Sequence, residues 1–373
     1  MDHPLTQSDQ VAVQRNISGS TGQKKNPLRS AFALFAKELI WRYAIHFKPT
    51  KRPICLYASR RSGSTLLMEV ISVNAGVMFS DQPFCLYTAS SANLNRLPLF
   101  PYGQLAFPDP EEEAILHSYV DGILSGRVRA NIPWKFWSKE FHFWNDRICL
   151  KITDAKAMAN WIDTQFDVHT VVSTRHPIAQ AVSVSNTGWL TTGKGFLRNS
   201  KFVERWLTDE LESFCWDVYR NGGEIQRRVV DWALENLPLL SLLPERKHWL
   251  YISYEDLIAH TEAAVKYLCD ELQLDSRQAM VNRVAKPSRS TRRESTAERK
   301  QLIHQRNREQ LLNSWRSNIT DGELRSCFKI LDRFEIDLYR PDSSMPDHRR
   351  VGREAFCHAK EEGATEREGD HSP

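Results

Sequence analysis

The stretch that decides the fold is Ile54-Cys-Leu-Tyr-Ala-Ser-Arg-Arg-Ser-Gly-Ser-Thr-Leu-Leu-Met-Glu-Val-Ile-Ser-Val-Asn-Ala-Gly76. Its first six residues, 54–59, are mostly apolar and predict a short buried strand. A polar loop with one glycine follows, and apolar residues then recur at helical spacing from Leu66 to Ile71. The stretch therefore predicts a strand, a loop and a helix, with Gly76 as the helix stop.

The loop of this stretch has the composition of an anion site. A helix that begins near Ser64 and Thr65 presents unpaired backbone N–H groups, and the hydroxyl of Ser62 and the charge of Arg61 lie just before it. Such groups bind phosphate or sulfate. An ordinary strand-to-helix turn with a solvated arginine pair is the alternative that local composition leaves open.

Length and composition limit the class of protein. At 373 residues and 41% hydrophobic content, the chain is long enough for one large α/β domain. Lys+Arg 50 against Asp+Glu 46 gives a net charge of +4, which does not predict a nucleic-acid partner. The 7 cysteines show no CxxC pair and no metal-ligand spacing. We therefore expect small buried thiols in a reducing, cytoplasmic compartment, and no metal site.

The two ends of the chain are polar. We expect residues 1–29 and 341–373 to be flexible tails on a single folded domain over residues 30–340. No stretch is apolar enough to predict a secretory signal or a transmembrane helix. Residues 30–48 predict an amphipathic helix, either for core packing or for peripheral contact with a membrane surface.

Strand and helix patterns alternate through the middle of the chain. Predicted strands fall at 147–152, 169–174 and 249–253, and predicted helices at 111–124, 155–166, 177–186, 200–220 and 223–237, with helices again to about 339. This alternation predicts a three-layer α/β fold, in which a mostly parallel central sheet is flanked by helices.

A second candidate anion site follows the strand at 169–174. Arg175 stands at the strand end, and Pro177 suits the first turn of the next helix. Ser183 lies about two helical turns further on, on a similar face of that helix. A lone arginine is also a common salt-bridge partner. Ligands of open α/β sheets gather at the carboxyl ends of the strands, so two such sites in one parallel sheet favour a ligand-binding role.

These motifs together resemble those of the sulfotransferases. The run Arg61-Ser-Gly-Ser-Thr65 resembles their 5′-phosphosulfate loop, and Arg175-His-Pro177 followed by Ser183 resembles their 3′-phosphate motif. Tyr254-Glu-Asp-Leu257 resembles a YEDL signature found downstream in the same families. The order of elements is similar over about residues 52–340.

Within this P-loop-like family, the chain is most similar to the bacterial carbohydrate-type group. The run Gln180-Ala-Val-Ser183, followed by Gly188-Trp189, also resembles the trehalose sulfotransferases. The Walker pattern GxxxxGK[ST] is absent because no lysine follows Gly63, which disfavours a P-loop nucleotide kinase.

The resemblance implies a co-substrate, 3′-phosphoadenosine 5′-phosphosulfate (PAPS), and residues that hold it. Its 5′-phosphosulfate would contact Arg61, Ser62, Gly63, Ser64, Thr65 and Leu66. Arg175 and Ser183 would hold the 3′-phosphate, and Tyr254 would reach the adenine. Residues 283–308 carry nine Lys and Arg, and such a segment often closes over the 3′-phosphate in this family. Lys286, Arg289 and Arg292 are the candidates, and a solvated helix face is the alternative.

The catalytic residues are less clear from the motifs. Lys151, at a strand end, matches a lysine that related sulfotransferases place beside the transferring group, although a surface lysine is the alternative. Many relatives carry Glu-Pro after the second strand and use that glutamate as the base. Here Gln82 takes its place, and an amide does not accept a proton at neutral pH. We therefore predict Asp81 or Asp154 as the base.

The acceptor is the least determined part of the prediction. Aromatic residues at 134–144 and the irregular stretch 79–110 suggest a hydroxylated saccharide, glycolipid or other small acceptor, and a phenol or sterol stays open. The aromatic cluster is also compatible with core packing or a lid. A catalytically weak nucleotide-binding or scaffolding member of the family is the alternative function, because Gln82 replaces the usual acid.

Overall fold

The computed structural model of the chain describes residues 39, 43–85, 109–128, 130, 141–189, 191–295 and 297–356. The predicted N-terminal tail 1–29 therefore lies outside the described residues. So do residues 131–140, which hold much of the predicted aromatic cluster, and most of the predicted irregular stretch 79–110.

A parallel sheet forms the middle layer. Its strands are β2 (Ile54–Ala58), β3 (Val77–Asp81), β5 (Arg147–Ile152), β6 (His169–Thr174) and β7 (Leu250–Ser253), and a separate parallel pair is formed by β1 (His46–Phe47) and β4 (Trp144–Asn145). The spatial order of the main sheet is β3-β5-β2-β6-β7, and every neighbouring pair is parallel. The predicted mostly parallel α/β sheet is confirmed.

Helices surround this sheet. They are α1 (Ser64–Ile71), α2 (Pro110–Leu124), α3 (Ala159–Gln165), α4 (Pro177–Ser185), α5 (Gly193–Leu197), α6 (Ser200–Trp206), α7 (Asp209–Asn221), α8 (Glu224–Leu242), α9 (Tyr254–Ala259), α10 (Thr261–Leu272), α11 (Arg277–Val284), α12 (Arg289–Glu294), α13 (Ala297–His304), α14 (Arg308–Asn313) and α15 (Asp321–Arg333). Short 3₁₀ helices lie at Lys156–Met158, Arg316–Asn318 and His348–Val351.

The two faces of the sheet have separate cores, because side chains alternate along each strand. Tyr57 of β2 packs in the core that includes buried residues of α2, α4, α8 and α15. Leu56, its neighbour in the strand, packs in the other core with α1, α10 and α11. Both faces are therefore covered, which explains why β2 is buried over its whole length.

The topology identifies the edge where a ligand would bind. β2 lies in the centre, between β5 and β6. The chain leaves β2 for the side that holds β3 and β5, and later crosses to β6 and β7 on the other side. The loop after β2 therefore lies at the point where the strand order reverses, which is where open parallel sheets bind their ligands.

Several predicted boundaries differ from the structure. The helix predicted to stop at Gly76 ends at Ile71, because Ser72 and Asn74 hydrogen-bond through their side chains to the carbonyls of Met68 and Ile71 at 2.7 and 2.9 Å. The helix predicted over 200–220 is two helices. Its break falls at 207–208, where the Thr208 hydroxyl accepts from the N–H of Leu211 and begins a new helix.

The predicted helix at 30–48 is wrong at its end. Of that segment the structure describes Leu39 and residues 43–48, and His46 and Phe47 form β1 instead of helix. The N–H of His46 donates to the carbonyl of Phe143 at 2.7 Å, so this part of the segment joins an extended pair. Among the described helices, none has both the length and the apolar character that crossing a membrane requires.

The predicted start of the C-terminal tail at 341 is also too early. Residues 341–356 pack on the domain, and the buried ring of His348 is 3.0 Å from the Asp256 carboxylate. Residues 357–373 lie outside the described residues. Of the described cysteines, Cys269 is partly exposed and the others are buried; all are free thiols, which agrees with the expectation from their spacing.

Candidate functional site

A cavity of about 730 Å³ opens at the carboxyl ends of the sheet strands. It is lined by residues at or just after the carboxyl ends of β2, β3, β5, β6 and β7, together with residues of the α11–α14 region. The predicted residues that line it are Arg61, Gly63, Ser64, Thr65, Leu66, Asp81, Lys151, Arg175, Tyr254, Lys286 and Arg289. The structure thus gathers most of the predicted site in one place.

The loop after β2 is bent tightly towards α1. The hydroxyl of Ser62 donates to the carbonyl of Ser59 at 2.7 Å, and the first α-helical bond runs from the N–H of Leu67 to the carbonyl of Gly63 at 3.0 Å. The N–H groups of residues 64–66 precede that bond and are therefore available to an anion. An anion loop requires this arrangement.

Gly63 is required by this geometry for two reasons. Its φ is +85°, a left-handed conformation that residues with a Cβ rarely adopt. A Cβ at this position would also lie 2.4 Å from Cδ2 of Tyr254. The ring of Tyr254 therefore packs directly on the loop, and only glycine leaves room for it.

The two predicted anion sites are in direct contact. Nε of Arg61 donates to the hydroxyl oxygen of Ser183 at 3.2 Å. Nη1 of Arg175 donates to the backbone carbonyl of Arg61 at 2.9 Å. The loop after β2 and the β6–α4 segment therefore form one bipartite site.

Arg175 is prepared for an anion. Its side chain is buried, and its Nε has no hydrogen-bond partner among the described residues. Burial, with the neighbouring charge of Arg299, lowers the pKa of Arg175 to about 10, so the guanidinium stays charged at neutral pH. A buried donor without a partner is costly, and an anion would satisfy it.

Tyr254 lies between two guanidinium groups. Cζ of Arg175 is 5.0 Å from the centre of its ring, and that of Arg299 is 5.9 Å away. Nη2 of Arg299 also donates to the Tyr254 hydroxyl at 3.0 Å. The position of Tyr254 is fixed at the start of α9, where the preceding Ser253 hydroxyl accepts from the N–H of Asp256 at 2.9 Å.

Arg299 was not singled out from the sequence. It belongs to the basic run at 283–308, but nothing in that run distinguishes it from its neighbours. Of the three residues that were proposed there, Lys286 and Arg289 line the cavity. Arg292 is exposed and does not line it.

Lys151 is a buried residue of the site. Its side chain is only 6% exposed, so the alternative of a surface lysine is wrong. Nζ lies 2.5 Å from Oδ1 of Asp81 and 3.3 Å from the hydroxyl oxygen of Thr65. The register of β3 and β5 pairs Asp81 with Lys151, which explains the contact. Lys151 therefore stands between the anion loop and the carboxylate.

Asp81 contacts a second cation. Nη2 of Arg289 lies 2.5 Å from its Oδ2, so each carboxylate oxygen has its own positive partner. Arg289 was predicted to lie near the 3′-phosphate, but here it joins α12 to the end of β3. Both carboxylate oxygens of Asp81 are therefore occupied by cations, which must be separated from it before an oxygen can contact an acceptor.

Asp154 is placed differently from Asp81. Its carboxylate accepts a bond from the Thr153 hydroxyl at 2.7 Å, and the Thr153 oxygen accepts from Nε2 of Gln82 at 3.1 Å. Burial raises the pKa of Asp154, but the carboxylate does not line the cavity. Gln82 does line it, with a left-handed φ of +60°. Asp154 therefore reaches the site through two side chains.

A buried ion pair supports the anion loop from beneath. Nζ of Lys156 donates to the Ser59 hydroxyl and lies 3.3 Å from Oε2 of Glu235 on α8. The second oxygen of Glu235 accepts from the Thr192 hydroxyl at 2.6 Å. No sequence motif marks this network, because its residues come from separate elements. It holds the carboxyl end of β2, where the loop begins.

The charges of the site favour an anionic ligand. Arginine and lysine side chains contributed by the loop, by β5, by β6 and by α12–α13 face one cavity. Among the described residues, no cluster of His, Cys, Asp and Glu has the arrangement of a metal site. Several cations around one cavity are suited to binding and stabilising a phosphate or a sulfonate.

Comparisons with known proteins give weak similarities. No protein-family model matches the chain, and no curated protein matches it. The mouse sulfotransferase SULT7A1 complexed with PAP is similar at 13% identity over 77% of this chain and 86% of that chain, with a TM-score of 0.36. The sulfotransferase domain from the curacin biosynthetic pathway is similar at 16% identity over 78% of this chain and 100% of the domain, with a TM-score of 0.40.

The sulfotransferase domain from the Synechococcus PCC 7002 olefin synthase is similar at 18% identity, over 79% of this chain and 98% of the domain, with a TM-score of 0.37. These structures carry the class name that the sequence motifs resemble. Similarities at this level do not assign a function to the chain.

Proposed function

We propose that this chain is a sulfotransferase that moves the sulfuryl group of PAPS to a hydroxyl of a saccharide, glycolipid or other small acceptor. The observation that carries the proposal is the contact between the two anion sites. Arg175 donates to the carbonyl of Arg61, and Arg61 donates to Ser183. A nucleotide with anionic groups at both its 3′ and 5′ positions matches two linked anion sites better than a nucleotide with one.

The residues fit such a donor. The N–H groups at the start of α1 and the Arg61 side chain would hold the phosphosulfate. Arg175, whose buried Nε has no partner among the described residues, would hold the 3′-phosphate with Ser183. We place the adenine beside Tyr254, where Leu66, Ile258 and Leu302 supply apolar cavity wall.

The chain's cations would stabilise the reaction. Sulfuryl transfer resembles phosphoryl transfer, in which catalysis comes mainly from positioning and from charge stabilisation. Lys151 lies beside Thr65 of the anion loop, where it would face the transferring group. Arg61 and Lys151 would offset the negative charge that develops on the leaving phosphate oxygen.

A base must take the acceptor's proton. As the acceptor oxygen bonds to sulfur, the bond between sulfur and the bridging oxygen breaks, and its electron pair stays on the 5′-phosphate. We assign the hydroxyl proton to Asp81, which lines the cavity next to Lys151. Asp154, linked to the cavity through Thr153 and Gln82, would then orient the Gln82 amide.

The experiment for this assignment compares Asp81→Asn with Asp154→Asn. If Asp81 is the base, Asp81→Asn loses about 10²–10⁴-fold in the rate of sulfuryl transfer, as expected for a general base. Asp154→Asn then loses much less. A transfer rate that Asp81→Asn leaves intact contradicts the assignment.

The experiment for the function itself uses radiolabelled PAPS. The full chain is incubated with fractions of a cell extract, and the labelled product is identified. Transfer of label to a hydroxylated acceptor supports the proposal. Arg61→Ala and Ser183→Ala serve as controls, because each should weaken binding of the product nucleotide, adenosine 3′,5′-bisphosphate (PAP).

The second candidate is a nucleotide-binding protein with weak or no turnover. Gln82 in place of an acid, and the two cations held by Asp81, are the observations that favour it. Binding of PAP without transfer to any member of a glycan and lipid panel would support this alternative over the enzyme.

A further inference from the structure

We propose that the Asp81 carboxylate is a placeholder for the donor's anion, so that donor binding releases Asp81 to act on the acceptor. This inference rests on the proposed function and concerns the regulation of the same site. In this mechanism the donor binds first and pairs with the two cations. The Asp81 carboxylate is then free to contact the acceptor's hydroxyl.

A bound donor and the Asp81 carboxylate would compete for the same two cations. Lys151 and Arg289 each lie 2.5 Å from a different oxygen of Asp81, and all three residues line the cavity. Their side chains are 6%, 16% and 19% exposed for Lys151, Arg289 and Asp81. Charge pairs with so little solvent contact are weakly screened. A sulfonate or phosphate in this cavity must therefore compete with Asp81 for the same donors.

Lys151 and Arg289 are each held at the cavity by contacts other than those with Asp81. Lys151 lies in β5, which pairs with strands on both sides, and also donates to the Thr65 hydroxyl. The backbone N–H of Arg289 donates to Oε1 of Glu69 on α1 at 3.2 Å. Glu69 in turn forms an ion pair with Arg283 of α11. These contacts hold Lys151 and Arg289 at the cavity without the help of Asp81.

Lys151 lies between the anion loop and the Asp81 carboxylate. Its Nζ contacts the anion loop on one side, through Thr65, and Asp81 on the other. A donor bound at the loop would draw Lys151 towards Thr65 and bring a like charge near Asp81. Both effects weaken the ion pairs of the carboxylate and leave its oxygens free to contact the acceptor's hydroxyl.

The opposite interpretation makes a contrary prediction. If Asp81 is a brace that positions Lys151 and Arg289 for the donor, its loss weakens donor binding. If it is a placeholder, its loss strengthens donor binding. The sign of one measured change therefore separates the two roles.

The test is the affinity of PAP, measured by calorimetry on the full chain. We expect Asp81→Asn to bind PAP about tenfold or more tightly than the original chain, because a competing charge close to the site is removed. Glu262→Gln is the matched control. Glu262 also lines the cavity, but it is paired with Arg277 at 3.8 Å instead of with a cation of the site.

Glu262→Gln removes the same charge from the same cavity, so it reports the general electrostatic effect. We expect it to change PAP affinity by less than about twofold. An equal gain in both variants, or an unchanged or weakened affinity in Asp81→Asn, overturns the placeholder role. Asp81→Ser repeats the test with a smaller side chain if Asp81→Asn does not fold.

A double variant identifies the cations involved. In an Arg289→Gln background one of the two pairs is already lost, so the gain from Asp81→Asn should shrink. A full gain in that background contradicts the assigned role of Arg289. If the original chain does not bind PAP, both the proposed function and this inference are wrong. If it binds PAP but Asp81→Asn gains no affinity for PAP, only this inference is wrong.

Discussion

Nη1 of Arg175 donates a hydrogen bond to the backbone carbonyl of Arg61 at 2.9 Å, across 114 positions of the chain. The contact joins the end of β6 to the loop after β2, and these two strands are neighbours in the sheet. Arg61 occupies a left-handed conformation with φ of +61°, and Arg175 supports it there. A ligand that binds one side of this pair is therefore expected to bind the other side as well.

Replacement of Arg175 should remove most of the preference for a 3′-phosphate. We expect Arg175→Gln to weaken PAP binding about 10–100-fold, the range for losing a charge-assisted hydrogen bond to a buried anion. Binding of AMP, which lacks the 3′-phosphate, should change much less. Calorimetry with both nucleotides measures the two effects. Arg292→Gln is the matched control, because Arg292 is an exposed cation of the same basic segment that does not line the cavity.

Gly63→Ala should destabilise both the fold and the site. The alanine would have to keep a backbone φ of +85°, and its Cβ would lie 2.4 Å from the Tyr254 ring. We therefore expect a loss of roughly 1–3 kcal/mol in the free energy of unfolding. Gly188→Ala is the control. Gly188 also has a left-handed φ, +67°, but no atom lies within 4 Å of a Cβ there. Urea unfolding of both variants separates backbone strain from the clash, and equal losses contradict the clash with Tyr254.

The buried pair of Lys156 and Glu235 should act as a unit. Lys156 is 1% exposed in its side chain, so Lys156→Met leaves the Glu235 charge buried without its cation. We expect a loss of about 3–5 kcal/mol in the free energy of unfolding. The double variant Lys156→Met/Glu235→Gln should be more stable than Lys156→Met alone. Thermal unfolding measures this, and an equally unstable double variant means that the loss comes from packing instead of charge.

The Glu255 carboxyl should make stability depend on pH. Burial raises the pKa of Glu255 to about 7, while its oxygens accept from the His176 N–H at 3.0 Å and the Tyr339 hydroxyl at 3.1 Å. A carboxyl with a raised native pKa binds more protons when folded, so its contribution to stability is present at low pH and is lost as the pH rises towards 7.

Glu255→Gln removes this titration and can keep both hydrogen bonds. We expect its free energy of unfolding, relative to the original chain, to rise by roughly 2–3 kcal/mol between about pH 5 and pH 8. Urea unfolding at the two pH values provides the measurement. A difference that is constant with pH would show that Glu255 has an ordinary pKa.

The sequence predicted the parts of the fold that depend on local pattern. β5 and β6 have the predicted bounds, Arg147–Ile152 and His169–Thr174. Arg175 could be predicted to lie near Arg61 because strand ends of a parallel sheet meet at one edge. Tyr254, Lys151 and Arg289 were predicted from the resemblance to the sulfotransferases, and all three line the same cavity.

Contacts between distant segments could not be predicted in this way. Asp81 and Arg289 are 208 positions apart, and their contact depends on how α12 packs on α1. Arg299 was one cation among nine in its segment until Tyr254 was placed beside it. The packing of His348 against Asp256 likewise has no local signal, which explains the wrong boundary at 341.

A competition titration of the full chain with PAP, AMP and ATP tests whether the cavity binds a nucleotide with anionic groups at its 3′ and 5′ positions. We expect PAP to bind at least about tenfold more tightly than either of the others, because Arg175 adds one buried, charge-assisted contact. Equal affinity for PAP and AMP, or tighter binding of ATP, would contradict it.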